Sequence, residues 1–342
     1  MLHIVGLGIT DDSIPSNIRN IMQNADVVYL ETFTSPDINT SEIRRICPKL
    51  QMAPRWMVED GRRILKESEK KDVVLASYGD PLVATTHTDL RVRAVQSDIP
   101  VNVVHGPSAI TILVGECGLH HYMMGRMVTV MSEDTLLETP YMASYRNAAL
   151  GNHTLLLLEY NQDTDFFLGA NAALKKLSNA EKSYRRGVFA PDSYCMVACR
   201  IGTKKQLVVS GRVSSLEGYN FGDPPHSIIL TGRLHFTECD AIRALTTCVD
   251  NPPEGHTIKS ISRQMIEKYT PMIQKSIQNI TGYSDGENMV IQNAISYIQD
   301  AQAALEKGQD EVAVLSIGYA DGLIDALRMS QGMDPGSLDP KI

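Results

Sequence analysis

Two glycine-containing segments near the N-terminus combine residue types that could bind a small ligand. In the first, Gly6-Leu7-Gly8 follows a strand-like stretch, and Glu31 ends the next such stretch, where a dinucleotide-binding fold places its ribose-binding acid. The third glycine of that fingerprint is replaced by Asp11, whose carboxylate would face and repel a pyrophosphate. The spacing therefore disfavours a nicotinamide nucleotide, and a tight turn without a ligand is the other interpretation.

The second segment, residues 77–82, directly follows a predicted strand. Ligands of open parallel sheets bind at the carboxyl ends of strands. Gly79 would let the backbone approach a ligand closely, Pro81 would stiffen the loop, and Asp80 could accept hydrogen bonds from a hydroxyl or an ammonium group. Taken alone, Gly-Asp-Pro is equally typical of a simple turn.

The elements that would hold these loops alternate between strand and helix over the first hundred residues. This alternation predicts crossover units and a mainly parallel sheet. The predicted strands are residues 2–5, 26–30, 72–77 and 101–105, and the predicted helices are residues 15–24 and 90–96.

A second block, roughly residues 127–233, is richer in strands. It holds one predicted helix, residues 170–177, and the pattern indicates a separate α/β domain with a mixed sheet. The predicted strands are residues 128–131, 154–158, 196–200, 206–210 and 227–231. The connection around residues 107–125 would join the two domains.

The last quarter of the chain has helical patterning only. A stretch containing prolines and a glycine, residues 250–255, predicts a linker. Beyond it we predict helices over residues 258–280 and 289–305, with Gly308 as a C-cap, and a further amphipathic helix. The apolar positions that indicate this last helix are Val312, Leu315, Tyr319, Leu323 and Leu327. The predicted domains are therefore residues 1–106 (α/β), 107–250 (α/β with a mixed sheet) and 251–342 (helical bundle).

Composition restricts the class of protein. The net charge is −8, of which −5 falls on residues 251–342 with their 7 Lys and Arg against 12 Asp and Glu, so we expect no direct nucleic-acid binding. The apolar runs have the length of strands, and the N-terminus shows no secretion signal, which predicts a cytoplasmic protein without membrane association. The six cysteines form no C-x-x-C pair, which predicts buried thiols and no metal site.

Four longer runs hold most of the glycine and polar residues that have been singled out. They are 79–87 (GDPLVATTH) followed by Asp89, Leu90 and Arg91; Tyr29-Leu30-Glu31 with Thr34-Ser35; His105-Gly106-Pro107-Ser108 with Gly118-Leu119-His120; and 221–226 (FGDPPH) followed by Gly232, Leu234 and His235. In this order and spacing they resemble the motifs of the diphthine synthases, which belong to the tetrapyrrole methylase superfamily, the class III methyltransferases. The resemblance covers about residues 1–240. The acidic helical region resembles a small archaeal helical domain. The whole chain therefore resembles an archaeal type of this family that carries an extra C-terminal helical domain.

The resemblance implies a cleft between two α/β domains in which S-adenosyl-L-methionine binds in a folded shape. Three positions depart from the family pattern: residues 9–12 (ITDD) in the first loop, Gly106 where Ala or Asn is usual, and Ala109 where Ile or Val is common. The cofactor contacts that the matching motifs imply are Ile9, Asp80, Val83, Ser108, Ala109, Leu158, Ile201 and His226.

The implied reaction is methylation of an amino group on the 3-amino-3-carboxypropyl-histidine of elongation factor 2, by a homodimer. An amine with a pKa near ~10 is mostly protonated at neutral pH, so the site must accept a proton or disfavour the cation. The motifs assign no catalytic base, because His87, His120 and Glu31 are each better explained as structural hydrogen-bonding residues.

A protein substrate must reach the cleft, and basic residues near its mouth would help an acidic partner to bind. Candidates by their proximity to the motifs are Arg91, Arg93 and Arg126, for which solvated surface charges are the alternative. Two other functions stay open at this point. One is a precorrin-type tetrapyrrole methylase, which would share the cleft. The other is a non-catalytic cofactor-binding or scaffold protein that acts through its helical bundle.

Overall fold

The chain forms two compact units, Met1–Ile258 and Lys259–Ile342. The fold is taken from a computed structural model of the 342-residue chain. The residues described are 1–9, 14–31, 33, 40–161, 164–254, 258–280 and 284–333.

The first sheet is fully parallel and has the strand order β3-β2-β4-β1-β5. Its strands are β1 (Leu2–Gly6), β2 (Val27–Glu31), β3 (Leu50–Ala53), β4 (Val73–Ser77) and β5 (Val101–Val104). The helices between them are α1 (Ser16–Asn24), α2 (Ser41–Ile46), α3 (Arg55–Asp60), α4 (Arg62–Ser68) and α5 (His87–Gln96). Every residue of β2 and of β4 is buried, because helices cover both faces of the sheet.

The second sheet is mixed, with the strand order β13-β11-β10-β12-β7-β6. Its strands are β6 (Val128–Val130), β7 (Thr154–Leu158), β10 (Tyr194–Cys199), β11 (Leu207–Arg212), β12 (His226–Leu230) and β13 (Thr247–Cys248). A small antiparallel ribbon of β8 (Tyr160–Asn161) and β9 (Phe166–Phe167) follows β7. The helices are α6 (Ala109–Glu116), α7 (Glu138–Ala149), α8 (Ala170–Tyr184), α9 (Val213–Leu216) and α10 (Phe236–Leu245). Residues of α7, α8 and α9 belong to one core cluster of this sheet, and residues of α6 and α10 belong to the other.

The predicted strands of both sheets are confirmed to within a few residues. The prediction of a single helix in the second block was wrong, because α7 lies between β6 and β7. Its buried set includes Pro140, Ser144 and Asn147 besides apolar residues, so that it lacks a clean apolar period. In the first block, α2, α3, α4 and β3 were not predicted. They are only four to seven residues long, which is too short for a periodic signal.

The second compact unit is built from three helices, α11 (Ile261–Asn279), α12 (Asp285–Glu306) and α13 (Asp310–Ser330). α12 begins with a capping box, in which Ser284 and Glu287 bond each other's backbone N–H groups. After α12 the chain passes through Gly308, whose φ of +71° is the left-handed conformation expected of the C-cap residue predicted there. The helix predicted over residues 289–305 is confirmed as part of α12, where the apolar spacing of Ile291, Ala294 and Ile298 places all three in the core.

The amphipathic helix predicted here is confirmed as α13, but its apolar face is only partly the predicted one: Leu327 lies in the core and Leu323 packs against it, whereas the other three positions do not. Val312, Leu315 and Tyr319 are 50%, 61% and 55% exposed. Besides Leu327, the buried face contains Ala313, Ile317, Ala320 and Ile324. The helix has apolar residues on both faces, and periodicity alone could not decide between them. Small alanines on the buried face let α13 pack closely against its neighbours within the unit.

The predicted fold class is confirmed: two α/β sheets, one parallel and one mixed, precede three C-terminal helices. The three domain ranges stay predictions. Among the described residues, no helix is both long and apolar enough to cross a membrane.

Candidate functional site

Three loops meet at the carboxyl end of the first sheet, where β1, β4 and β5 end side by side. The chain after β1 bonds to the chain after β4, with the Leu7 N–H 2.8 Å from the Ser77 carbonyl oxygen and the Gly79 N–H 2.7 Å from the Gly8 carbonyl oxygen. A Cβ atom on Gly6 would lie 2.4 Å from the Gly79 carbonyl oxygen and 2.7 Å from the Gly106 nitrogen. Because Gly6 has no side chain, the loops that follow β4 and β5 can meet above the end of β1.

Asp80 and His105 join across this junction. One carboxylate oxygen of Asp80 accepts a hydrogen bond from the Leu82 N–H at 2.9 Å, and the other lies 2.8 Å from Nδ1 of His105. A carboxylate only accepts, so Nδ1 of His105 carries a proton, and in the neutral ring the lone pair is then on Nε2. The Asp80 side chain is 10% exposed and the His105 side chain is 66% exposed. The buried carboxylate therefore fixes the tautomer of an imidazole that solvent can reach.

His87 anchors the same loop from its buried side. Its Nδ1 lies 2.8 Å from the Pro81 carbonyl oxygen, to which Thr85 also donates at 2.6 Å. The ring is fully buried, and burial lowers the pKa of His87 although the bond to Pro81 opposes this. Among the described atoms Nε2 has no partner. A neutral His87 thus fixes the backbone on which Asp80 and Val83 stand.

Ser108 and Ala109 begin helix α6 directly after the junction. The Ser108 hydroxyl is the N-cap and accepts from the Ile110 N–H at 3.2 Å. Its Cα would lie 3.9 Å from a Cβ on Gly79, so the two loops are in ordinary contact. Ala109 is exposed and Val83 is half-buried, which leaves apolar surface beside the polar groups.

A second cluster, Leu158, Ile201 and His226, lies along one edge of the mixed sheet. Leu158 ends β7, and Ile201 follows β10. His226 begins β12, which pairs with both of those strands. Both ring nitrogens of His226 are used: Nδ1 accepts from the Ala170 N–H at 3.3 Å, and Nε2 donates to the Asp223 carbonyl at 3.0 Å. Burial lowers the pKa of His226, with the bond to Asp223 opposing it, so the ring is a neutral clamp.

Ile9 connects the two clusters. A Cβ on Gly202, next to Ile201, would lie 2.2 Å from Cδ1 of Ile9, and Gly202 has a φ of +82°. The loop after β1 therefore packs against the turn between β10 and β11. Ile9, Val83, Leu158 and Ile201 are all half-buried. Half-exposed aliphatic surface with carboxylate and hydroxyl groups beside it suits a ligand that carries both an aromatic base and charged groups.

None of the eight predicted contact residues lines the two grooves found elsewhere on the surface. One groove, of about 700 Å³, runs along α4, and the other, of about 460 Å³, runs along α13. The predicted residues lie instead where the loops of the two sheets approach each other.

The three candidate bases from the motifs are poorly placed for proton transfer to a ligand. Glu31 is 1% exposed and His87 is fully buried. His120 lies beside α10, with its Nε2 3.2 Å from the Thr237 hydroxyl. Of these three candidate side chains only that of His120 reaches solvent, and it belongs to a different polar network.

The carboxylate of Glu238 is the centre of that network. Oε1 accepts from the His120 N–H at 2.8 Å and from Nε2 of His153 at 3.1 Å, and Oε2 accepts from the His235 N–H at 2.8 Å. Although burial raises it, these bonds lower the pKa of Glu238 to about 2. Nδ1 of His153 accepts from the Gly232 N–H at 2.9 Å, so His153 is neutral with its proton on Nε2. The motif residues around 120 and 232–235 therefore hold the second domain together.

The three arginines expected near the mouth differ in their surroundings. Arg93 donates to the carbonyl groups of Asp60 and Glu59 at the end of α3, at 2.7 and 3.0 Å, and pairs with Asp89. The guanidinium of Arg93 is therefore already bonded within the protein. Arg91 and Arg126 are exposed.

In the part of the chain that the structure describes, no group of three or more His, Cys, Asp or Glu side chains is arranged to hold a metal ion. Five of the six predicted buried thiols are buried, and Cys248 is half-buried. Residues 10–12 and 34–35, which belong to the discussed motifs, lie outside the described residues.

The sequence did not single out His105, although it lies in a quoted motif. Asp80 and His105 follow β4 and β5, which are not neighbours because β1 lies between them. The signal that could have found the pair is Gly6, the strand-ending glycine over which the backbones of Gly79 and Gly106, next to Asp80 and His105, meet. Strand order, which local sequence does not encode, was the missing information.

Comparison with known proteins gives three findings. The family model described as Tetrapyrrole (Corrin/Porphyrin) Methylases matches residues 1–217, and one described as Protein of unknown function (DUF357) matches residues 268–333. The chain is 34% identical over 252 residues to a diphthine synthase of Methanosphaera stadtmanae, covering 72% of this chain and 95% of the relative. It is also 34% identical over 254 residues to a diphthine synthase of Methanocaldococcus jannaschii, covering 72% and 98%. A crystal structure of diphthine synthase superposes with a TM-score of 0.66 at 28% identity, covering 72% of this chain and 96% of the other.

Proposed function

The chain belongs to the tetrapyrrole methylase family and, within it, to the diphthine synthases, and from this premise we propose that it methylates a protein. The methyl donor is S-adenosyl-L-methionine. The acceptor is the amino group of the 3-amino-3-carboxypropyl-histidine of elongation factor 2. The product is diphthine, an intermediate of diphthamide biosynthesis.

The observation that carries this proposal is the meeting of two clusters. Asp80, Val83, Ser108 and Ala109 stand on loops after β4 and β5, while Leu158, Ile201 and His226 stand on one edge of the mixed sheet. Ile9 bridges them through its contact at Gly202. These side chains would hold the cofactor, with the aliphatic ones against its adenosine and Asp80 and Ser108 against its polar groups.

When bound, the cofactor supplies an activated methyl group on a sulfonium, so the protein mainly orients the acceptor and manages its proton. The Asp80 carboxylate uses two of its roughly four acceptor positions within the protein and keeps capacity for a ligand. His226 and His87 act as neutral clamps on the loops that carry the contacts.

The substrate is a protein loop, and Arg91 and Arg126 remain free to meet acidic groups on it, whereas Arg93 does not. We extend the proposal to a cytoplasmic homodimer without direct nucleic-acid contact, as in the family. The three-domain division at 106 and 250 belongs to the same proposal.

The test is a mass measurement. Elongation factor 2 that carries the amino-carboxypropyl histidine should gain about 14 Da, a net CH₂, per methyl group when enzyme and S-adenosyl-L-methionine are added together. Elongation factor 2 with an unmodified histidine is the matched control and should gain nothing. Turnover of a precorrin without any gain on the protein would overturn the proposal in favour of a tetrapyrrole methylase. Absence of cofactor binding in calorimetry would favour a scaffold protein.

A further inference from the structure

We propose that His105 is the general base of the methyl transfer and that Asp80 is the residue that orients it; this inference rests on the proposed function. A primary ammonium cannot act as a nucleophile until it loses a proton, and at neutral pH about one amine in a thousand is already neutral. A positioned base is therefore worth about 10²–10⁴ in rate.

The geometry of the pair is that of an oriented base. The Nδ1–H of His105 donates to Oδ2 of Asp80 at 2.8 Å, so in the neutral imidazole the lone pair lies on Nε2 at the far end of the ring. The second oxygen of Asp80 is held by the Leu82 N–H, so the carboxylate itself cannot rotate away. A buried carboxylate that fixes the tautomer of a solvent-facing imidazole is the arrangement by which hydrolases prepare a histidine to accept a proton.

The position of the pair agrees with this role. Asp80 is one of the proposed cofactor contacts, and Ser108, three residues after His105, is another. The imidazole thus stands on the same junction as the groups that would hold the cofactor.

Among the other histidines of this unit that the structure describes, three are excluded as the general base by their own hydrogen bonds or by burial, and the rest lie elsewhere in the unit. His226 uses both nitrogens, His153 uses both nitrogens, and His87 is fully buried. His120, His121 and His235 lie at α6, α10 and the turn between them, and His3 lies near the amino end of β1. His105 is the described histidine whose ring is both oriented by a carboxylate and exposed next to the proposed cofactor contacts.

The proton balance is simple. An N–H bond of the substrate ammonium breaks, its electron pair stays on the nitrogen, and the proton binds Nε2 of His105. The resulting imidazolium is stabilised by the adjacent Asp80 carboxylate until the proton leaves to solvent through the exposed ring. The neutral amine then has the lone pair that bonds to the methyl carbon.

The test uses the full chain with His105→Asn. The asparagine amide can take the place of Nδ1–H and keep the bond to Asp80, but it offers no base. We expect an unchanged melting temperature, an unchanged affinity for S-adenosyl-L-methionine in calorimetry, and a kcat for mass gain on elongation factor 2 that falls by about 10²–10⁴. The remaining rate should rise about tenfold per pH unit toward the amine's own pKa near ~10. The control His121→Asn changes another exposed histidine of the same unit and should keep full activity.

A second measurement does not depend on activity. The ¹⁵N signals of His105, assigned by their loss in His105→Asn, should report a proton on Nδ1 in the wild type and on Nε2 in Asp80→Asn, because the new amide NH₂ faces the ring. If wild type is active and His105→Asn is equally active, or if the variant loses cofactor affinity together with activity, His105 is not the base. If wild type adds no methyl group to the protein, the proposed function fails and the inference falls with it.

Discussion

Glu238→Gln is the substitution whose effect on stability the structure predicts most sharply. The side chain is fully buried, and its carboxylate accepts three hydrogen bonds, from two backbone N–H groups and from His153. Glutamine keeps the shape but replaces one oxygen by an NH₂ group. Whichever way the amide is turned, a donor then faces a donor.

The magnitude follows from those bonds. A hydrogen bond to a charged group is worth about 1.5–3 kcal/mol, and a buried donor left without an acceptor costs about 1–3 kcal/mol. We therefore expect the free energy of unfolding of the α/β unit to fall by about 3–4 kcal/mol. For a unit of this size that corresponds to a melting temperature lower by roughly 6–16 °C. The matched control is Asp240→Asn in the same helix, where an exposed i,i+3 pair with Arg243 is lost and about 0.5 kcal/mol or less is expected.

The assay is thermal and urea unfolding of wild type and both variants at several pH values. The pKa of Glu238 is lowered to about 2 in the folded chain, against about 4.5 when unfolded. The stabilisation by the carboxylate is therefore complete above pH 4.5 and is lost as the pH falls toward 2. The difference in unfolding free energy between wild type and Glu238→Gln should narrow by about 1.4 kcal/mol between pH 6 and pH 3.5. A difference in unfolding free energy below about 1 kcal/mol at pH 7, or one that does not change with pH, would refute this account of the network.

Three further predictions concern the site and its unit. A fragment of residues 1–258 should fold and bind S-adenosyl-L-methionine in calorimetry with the affinity of the full chain, since it forms a compact unit that holds all eight proposed contacts; binding by the full chain alone would contradict this. Gly6→Ala should destabilise the unit by about 1–3 kcal/mol and weaken cofactor binding, because its Cβ meets the Gly79 backbone, whereas Gly218→Ala, which has open space, should do neither in the same assays. The lowered pKa values of His87 and His226 mean that the unfolded chain binds more protons below pH 6.5, so the melting temperature should fall from pH 7 to pH 5.5, and it should fall less in His226→Gln.

The sequence predicted the elements whose burial follows a simple period. β2 and β4 are buried on both faces, and their apolar runs place them within a residue of their observed ends. The motif loops were also located correctly, because a loop that directly follows such a strand must lie at the edge of the sheet. α7 and the short helices around β3 were not predictable in this way, since their buried positions include polar residues or span little more than one turn.

Two features depended on information that local sequence does not hold. The pairing of Asp80 with His105 requires the strand order, in which β1 separates β4 from β5. The buried face of α13 requires knowledge of its partners, because Leu315 and Ile317 are equally apolar and only packing against α11 and α12 decides between them.

The junction of Gly6, Gly79 and Gly106 is made by backbone atoms alone, and this limits how the site can be re-engineered. Gly6 and Gly106 each meet carbonyl oxygens within 2.6 Å of an added Cβ, although Gly106 is only half-buried. A saturation library would therefore record near-complete intolerance at Gly6 and Gly106, although neither carries a functional group and Gly106 is accessible to solvent. Selection for a different acceptor molecule can vary the side chains that the three loops present. The glycines of the junction itself have to stay unchanged.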